Sequence, residues 1–224
     1  MYAAEAEGLR ALRAAGVRAP EPFAHGVRAG AAFIEMERLA LGGHSDWPAM
    51  GAMLARLHRC TSGRFGWGSD NWIGLAPQQN AFSDDWLAFF RDYRLRPQIE
   101  RARRNGYSVT MPPLALLEGR TPAPALVHGD LWRGNAGFTA DGPVMFDPAV
   151  YYGDREVDLA MSELFGGFPD EFYAAYCSAY PLEPGYASRK NLYNLYHLLN
   201  HLNLFGAGYL GQVQATLGLL LDAL

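Results

Sequence analysis

Residues 124–148 read PALVHGDLWRGNAGFTADGPVMFDP: two short apolar runs with the pattern of strands, "PALVHG" and "GPVMFDP", enclose a loop that holds His128, Asp130, Arg133 and Asn135, with a small strand near "AGFT". No other stretch constrains the fold as much. Everything beyond Asp154 has helical periodicity, and so does most of the chain from Asp46 onward. A strand-loop-strand insert rich in polar groups must therefore sit among helices.

Asn135 follows Asp130 by five residues and Asp147 follows Asn135 by twelve. Phosphoryl transfer needs a carboxylate near the acceptor hydroxyl, plus an amide and a second carboxylate for the magnesium ions that bridge nucleotide phosphates. Asp130, Asn135 and Asp147 have the order and separation of the kinase set HRDxxxxN followed by a metal-binding Asp, with Gly129 in place of the Arg. Asp130 then orients the hydroxyl or accepts its proton, Asn135 and Asp147 carry Mg2+, and His128 braces the loop from behind. A lone His-x-Asp is more often structural or metal-binding; the register of Asn135 and Asp147 favours the kinase-like reading. Metal-dependent hydrolysis through His128 and Asp130 is weaker, because no further cluster completes a ligand set.

The 224 residues, half of them apolar, are enough for one or two ordinary cores. A formal charge of −4 gives no reason to expect nucleic acid, and "RARR" at 101–104 reads as a solvated helix face. Two cysteines, Cys60 and Cys177, neither form a disulfide framework nor have metal-site spacing, so a reducing cytoplasm fits. The first residues lack the pattern of a secretion signal. The most apolar segment, "LGLLLDAL" at 217–224, is too short to span a bilayer, so neither a membrane nor nucleic acid is expected as a partner.

Along the chain, residues 3–15 read as a helix ending at Gly16, "APEPFAHG" as extended chain, and 31–39 as a strand with a hairpin partner ahead of Arg28. A helix capped by Ser45 or Asp46 follows, then a loop over 63–80 and a longer helix capped at Ser83. Loops of that length tend to be functional.

The segments "HGDLWRGN" and "FDPAVYYGDREVDLAM", with "LARLHR", "FGWGSDNWIG", "PQQN" and "DWLAFFRDYRL" in the same order, resemble the fructosamine kinase family, which belongs with the aminoglycoside and choline phosphotransferases in the protein-kinase-like superfamily. The resemblance implies an α+β, protein-kinase-like fold with a truncated β N-lobe over 1–38 and a mostly α-helical C-lobe over 39–224. It implies ATP and Mg2+, with Asp130 catalytic and Asn135 and Asp147 the magnesium ligands. Asp158 would hold the catalytic loop by accepting backbone N–H bonds, or be a plain helix N-terminal acid. "FIEMERL" would be the hinge, with adenine read by backbone near Glu37 and Leu39; Met36 and Phe33 would line that pocket or be core. The acceptor would be a ketosamine, phosphorylated at its third carbon's hydroxyl. Trp132, Tyr151, Tyr152, Asp154 and Arg155 are candidate sugar-amine contacts, with Asp154 pairing the cationic amine; core packing explains the tyrosines equally well.

The chain departs from this pattern at its start. A Gly-rich turn and a strand lysine over the phosphates cannot be placed. Glu5 matches the Glu that would pair with that lysine, yet the single lysine, Lys190, lies far downstream. Impaired turnover follows as an expectation, as does self-association through the uncovered half-lobe. A non-catalytic binding remnant, or a kinase of another alcohol such as an aminoglycoside, stands as the alternative.

Overall fold

The computed structural model describes residues 1–222. α1 (Tyr2–Ala14) buries Ala6, Leu9 and Leu12, the stripe expected of an amphipathic helix, and the left-handed Gly16 follows its end. β1 (Pro22–Arg28) and β2 (Ala31–Met36) then form an antiparallel hairpin, with His25 opposite Ile34 and Val27 opposite Ala32. α2 (Trp47–Leu57) starts at Asp46, whose carboxylate accepts from the Ala49 N–H at 2.9 Å. It packs on α6 (Asp170–Ala179) so closely that a Cβ on Gly51 would lie 2.3 Å from the Phe172 carbonyl.

Two expectations for the next region need correction. The 63–80 segment is not a plain loop: β3 (Asn71–Ile73) and β4 (Ala76–Gln78) pair within it. Ser83 is not a helix cap either, because it bridges Phe65 in extended conformation; the cap lies two residues later, where the Asp85 carboxylate accepts from the Ala88 N–H. That helix runs as α3 (Trp86–Phe90), a π-helical turn over Arg91–Leu95 and α4 (Arg96–Arg104). Pro97 has no N–H to offer the turn before it, and the Arg94 guanidinium satisfies the Tyr93 carbonyl instead.

The insert contains the expected strands in a different pairing. β5 (Ala125–Val127) pairs not with the run before Asp147 but with β8 (Tyr151–Gly153), which sequence reading left unassigned; β6 (Ala136–Thr139) pairs with β7 (Gly142–Met145). The 128–150 segment is thus a loop closed at its base by β5–β8 and stiffened at its tip by β6–β7. α5 (Glu156–Leu164), α6, α7 (Tyr186–Phe205) and α8 (Leu210–Asp222) follow.

Two apolar clusters flank the insert. One gathers Trp86, Phe89, Tyr151 and Leu199 from α3, β8 and α7, and the other gathers Leu9, Met53, Leu131 and Phe172 from α1, α2, the loop and α6. The loop is held between them. No helix among the described residues is long and apolar enough to cross a membrane; residues 223 and 224 of the apolar 217–224 segment lie outside the described residues.

Candidate active site

The loop after β5 owes its shape to backbone constraints. Gly129 sits at φ +82°, and a Cβ there would come 2.1 Å from the Ala149 carbonyl oxygen. Only glycine fits both restrictions. The Ala149 N–H donates to the His128 carbonyl at 2.8 Å, closing the loop on itself.

A chain of buried side chains carries the loop from below. Asp158, in the first turn of α5, accepts the His128 N–H at 2.6 Å on Oδ2 and the Gly129 N–H at 2.8 Å on Oδ1. His58 Nε2 also donates to Oδ2, at 3.0 Å, while its Nδ1 accepts from the Tyr176 hydroxyl, which in turn accepts from Arg155. These contacts hold Asp158 below the usual carboxylate range despite complete burial. His128 donates from Nε2 to the Phe146 carbonyl and accepts the Asp130 N–H on Nδ1. Burial lowers its pKa, consistent with this neutral tautomer.

Asp130, Asn135 and Asp147 meet at the mouth of the loop. Asn135 Nδ2 donates to the Asp130 carbonyl at 2.9 Å and to Asp130 Oδ2 at 3.2 Å, and reaches the Asp147 carbonyl at 3.5 Å. This use of the amide nitrogen turns Asn135 Oδ1 away as a free acceptor. Neither that oxygen nor the Asp147 carboxylate has a protein partner among the described residues. One carbonyl-type and one carboxylate oxygen, completed by phosphate oxygens and water, suit Mg2+, which seldom takes an all-protein cage. No group of three or more His, Cys, Asp or Glu side chains able to hold a metal occurs among the described residues.

Asp147 occupies φ +57°, a left-handed conformation that non-glycine residues rarely adopt, immediately before Pro148. Burial and the nearby Asp147 charge push the Asp130 carboxyl up to about 7. Burial and Asp147 also push Glu5 up to about 7. Three carboxyl groups therefore crowd one end of the site, an arrangement a divalent cation would relieve.

A cavity of about 340 Å³ opens beside Asp147, lined by Glu5 and Tyr2 of α1, Ile34 and Met36 of β2, and Asn71 and Leu75 of the β3–β4 hairpin. Met36 and Ile34 face this cavity. Phe33, expected there as an alternative to core, lies on the opposite face of the strand under the Arg28 guanidinium. The Glu37 carboxylate pairs with Arg18, and its N–H donates to the Glu21 carbonyl at 2.8 Å. The Glu37 carbonyl and Leu39 N–H have no backbone partner among the described residues, and neither residue is among those lining the cavity. Glu5 forms no ion pair among the described residues, and Lys190 is held by Glu163 at 2.6 Å.

The candidate sugar contacts divide. Trp132 is 37% exposed beside Asp130, with Phe165 against it and His201 and Tyr209 beyond. Tyr152 is half-buried against Trp67. Asp154 must be withdrawn: fully buried, it accepts from Arg120, from the Tyr193 hydroxyl at 2.7 Å and from the Glu156 N–H. Arg155 must be withdrawn too, because its guanidinium bonds Tyr176 and the Tyr180 and Pro181 carbonyls. Tyr151 is buried under the Arg94 guanidinium, 3.9 Å from its ring centroid. Arg133 bonds the Gly167 carbonyl at the surface.

Several residues escaped the sequence reading. His58 meets Asp158 from 100 residues away, and Tyr176 of α6 meets His58 from 118 residues away, with no local signal. Asn71, Gln78 and Asn80 form a buried amide cluster that accepts Arg94 and donates to the Ala149 and Val150 carbonyls, two and three residues past Asp147. The "DNWIG" and "PQQN" segments thereby position the chain between Asp147 and β8. His197 of α7 points Nδ1 toward Asp130 Oδ1 at 3.9 Å.

A family model described as fructosamine kinase matches residues 1–223. A probable ketoamine kinase of Synechocystis is 50% identical over 97% of this chain and 77% of its own length. The crystal structure of a candidate fructosamine-3-kinase from Haemophilus somnus superposes with a TM-score of 0.90 at 30% identity, over 99% of this chain and 79% of that one. A choline/ethanolamine kinase family protein from Mesorhizobium loti, at 18% identity and a TM-score of 0.59 over 97% of this chain and 76% of that one, shares the kinase-like fold. The loop bound through Asp158, the Asp130–Asn135–Asp147 set it presents, and these likenesses place the chain in the fructosamine kinase family.

Proposed function

We propose that this chain transfers the γ-phosphoryl group of ATP to a hydroxyl of a ketosamine, fructosyl or ribulosyl, in the cytoplasm, and so begins release of the sugar from an amine. The observation that carries the reading is the pair of free oxygen donors, Asn135 Oδ1 and the Asp147 carboxylate, beside an Asp130 carboxylate that Asn135 Nδ2 holds in place. Magnesium, when bound, neutralises charge on the phosphates. Asp130 orients the hydroxyl and takes its proton as the O–P bond forms. Burial raises the Asp130 carboxyl above an ordinary Asp, a better match to neutral-pH proton transfer. Met36 and Ile34 support adenine packing in the cavity, and Trp132 supports stacking on the sugar. The ketoamine kinase relatives support the acceptor class.

A second reading, slow or absent turnover with retained binding, draws on Glu5, which has no cation beside it among the described residues. Removing one preorganised electrostatic donor from an enzyme site typically costs a factor of about 10² to 10³. Incubation with Mg2+, ATP and either fructosyl-lysine or an aminoglycoside, followed by product mass, separates the alternatives. A phosphorylated ketosamine supports the first reading, aminoglycoside phosphate transfers the site to another acceptor, and binding without product supports the second.

A further inference from the structure

We propose that His197 is a further substrate-contacting residue: its Nδ1–H and Asp130 Oδ1 together form the seat of the acceptor hydroxyl. This deepens the proposed phosphotransferase reading and rests on it.

The geometry carries the argument. His197 lies on α7, only 3% exposed, and its Nδ1 is buried without a hydrogen-bond partner among the described residues. It stands 3.9 Å from Asp130 Oδ1, too far for a direct hydrogen bond. An oxygen about 2.8 Å from each atom would meet the two near a right angle, so an acceptor hydroxyl that displaces the groups now closing over Nδ1 can bridge them. Asp130 Oδ2 is already occupied by Asn135 Nδ2, so Oδ1 is the oxygen left for the acceptor. The two carboxylate oxygens thus divide the work between fixing the loop and receiving the substrate.

A buried ring nitrogen without a partner is unusual, and a histidine kept only for packing would be expected to find one. Neighbouring groups do not supply one. The Tyr196 hydroxyl is committed to Gln78, and His201 Nδ1 bonds the His197 carbonyl rather than its ring. Burial, His201 and Arg94 hold the imidazole neutral, with its pKa lowered to about 3. A neutral imidazole donates one hydrogen bond without collapsing onto the carboxylate as a cation would.

In the transfer step the acceptor O–H donates to Asp130 Oδ1 while its oxygen accepts from His197 Nδ1–H. The oxygen lone pair forms the new bond to the γ-phosphorus, the bond from that phosphorus to the β,γ-bridging oxygen breaks with its electron pair going to ADP, and the hydroxyl proton passes to Asp130. His197 keeps its proton throughout and sets the direction of attack.

The test compares wild type with His197→Leu, which fills the site without a donor, and His197→Asn, which places an amide N–H at similar reach. The readouts are initial rates with varied fructosyl-lysine and varied ATP, plus thermal midpoints. Expected is a fall in kcat/KM for the ketosamine of about tenfold to a hundredfold in His197→Leu, with KM for ATP unchanged and most activity retained in His197→Asn. An unchanged His197→Leu enzyme, an equal loss in His197→Asn, or a parallel loss toward ATP would overturn the assignment. Wild type without ketosamine turnover sinks the phosphotransferase reading and this one with it; an active wild type with an indifferent His197→Leu sinks this one alone.

Discussion

At the scale of single residues, the site depends on the crowding of Asp130, Asp147 and Glu5. Both Asp130 and Glu5 have folded-state pKa values raised to about 7, above their ordinary 3.8 and 4.5. Between those ordinary values and 7 the folded chain holds protons that the unfolded chain has released, so stability falls as pH rises through this window. Thermal melting without Mg2+ is therefore expected to show Glu5→Gln gaining on wild type from pH 5 to 8, and matching it near pH 4. A constant offset at every pH would contradict the crowding. Activity has the opposite sign: kcat/KM should climb with pH as Asp130 ionises. Asp147→Gly should relieve a left-handed strain of about 1 kcal/mol and melt slightly higher while losing activity, a separation that circular dichroism and rate assays together would detect. The meeting of Asp130, Asn135 and Asp147 was legible because one loop carries all three. Asp154 and Arg155 were misread because adjacency in sequence to the loop says nothing about burial. They turn inward, where Arg120 and Tyr176 meet them.

At the scale of elements, the loop is only as rigid as α2, α5 and α6 make it. Asp158→Ala would strand two buried backbone N–H groups and His58, so a loss of about 3–5 kcal/mol in chemical denaturation is expected. Tyr176→Phe removes the hydroxyl between His58 and Arg155 and should cost about 1–3 kcal/mol; a variant as stable as wild type would show that the relay is not structural. Helices and the β1–β2 hairpin were readable from periodicity and from the Asp46 cap. The β5–β8 pairing was not, because two three-residue strands are joined only by contacts across the loop, and neither has an alternating pattern long enough to see. The β3–β4 hairpin was hidden for the same reason, since its stability lies in the Asn71, Gln78 and Asn80 cluster rather than in apolar alternation.

At the scale of the whole molecule, the β1–β2 hairpin presents Phe23 at 63% and Val27 at 72% exposure on a sheet of two strands. Exposed edges and apolar side chains together favour strand addition from another chain. Light scattering is expected to show mass rising with concentration, and a Phe23→Lys, Val27→Lys double variant should stay monomeric; a wild type that is monomeric at high concentration contradicts this. The helical body was legible across the chain, whereas the use of its parts depended on which faces the fold buried. The central claim is that the Asp130 carboxylate, presented by this loop, drives phosphoryl transfer to a ketosamine. Its most direct test is Mg2+-dependent conversion of fructosyl-lysine to its phosphate by wild type and by Asp130→Asn at pH 7.5. Product from wild type, with a rate about 10² to 10⁴ times lower in the variant, is the predicted result; equal rates in the two proteins, or no product from wild type, would contradict it.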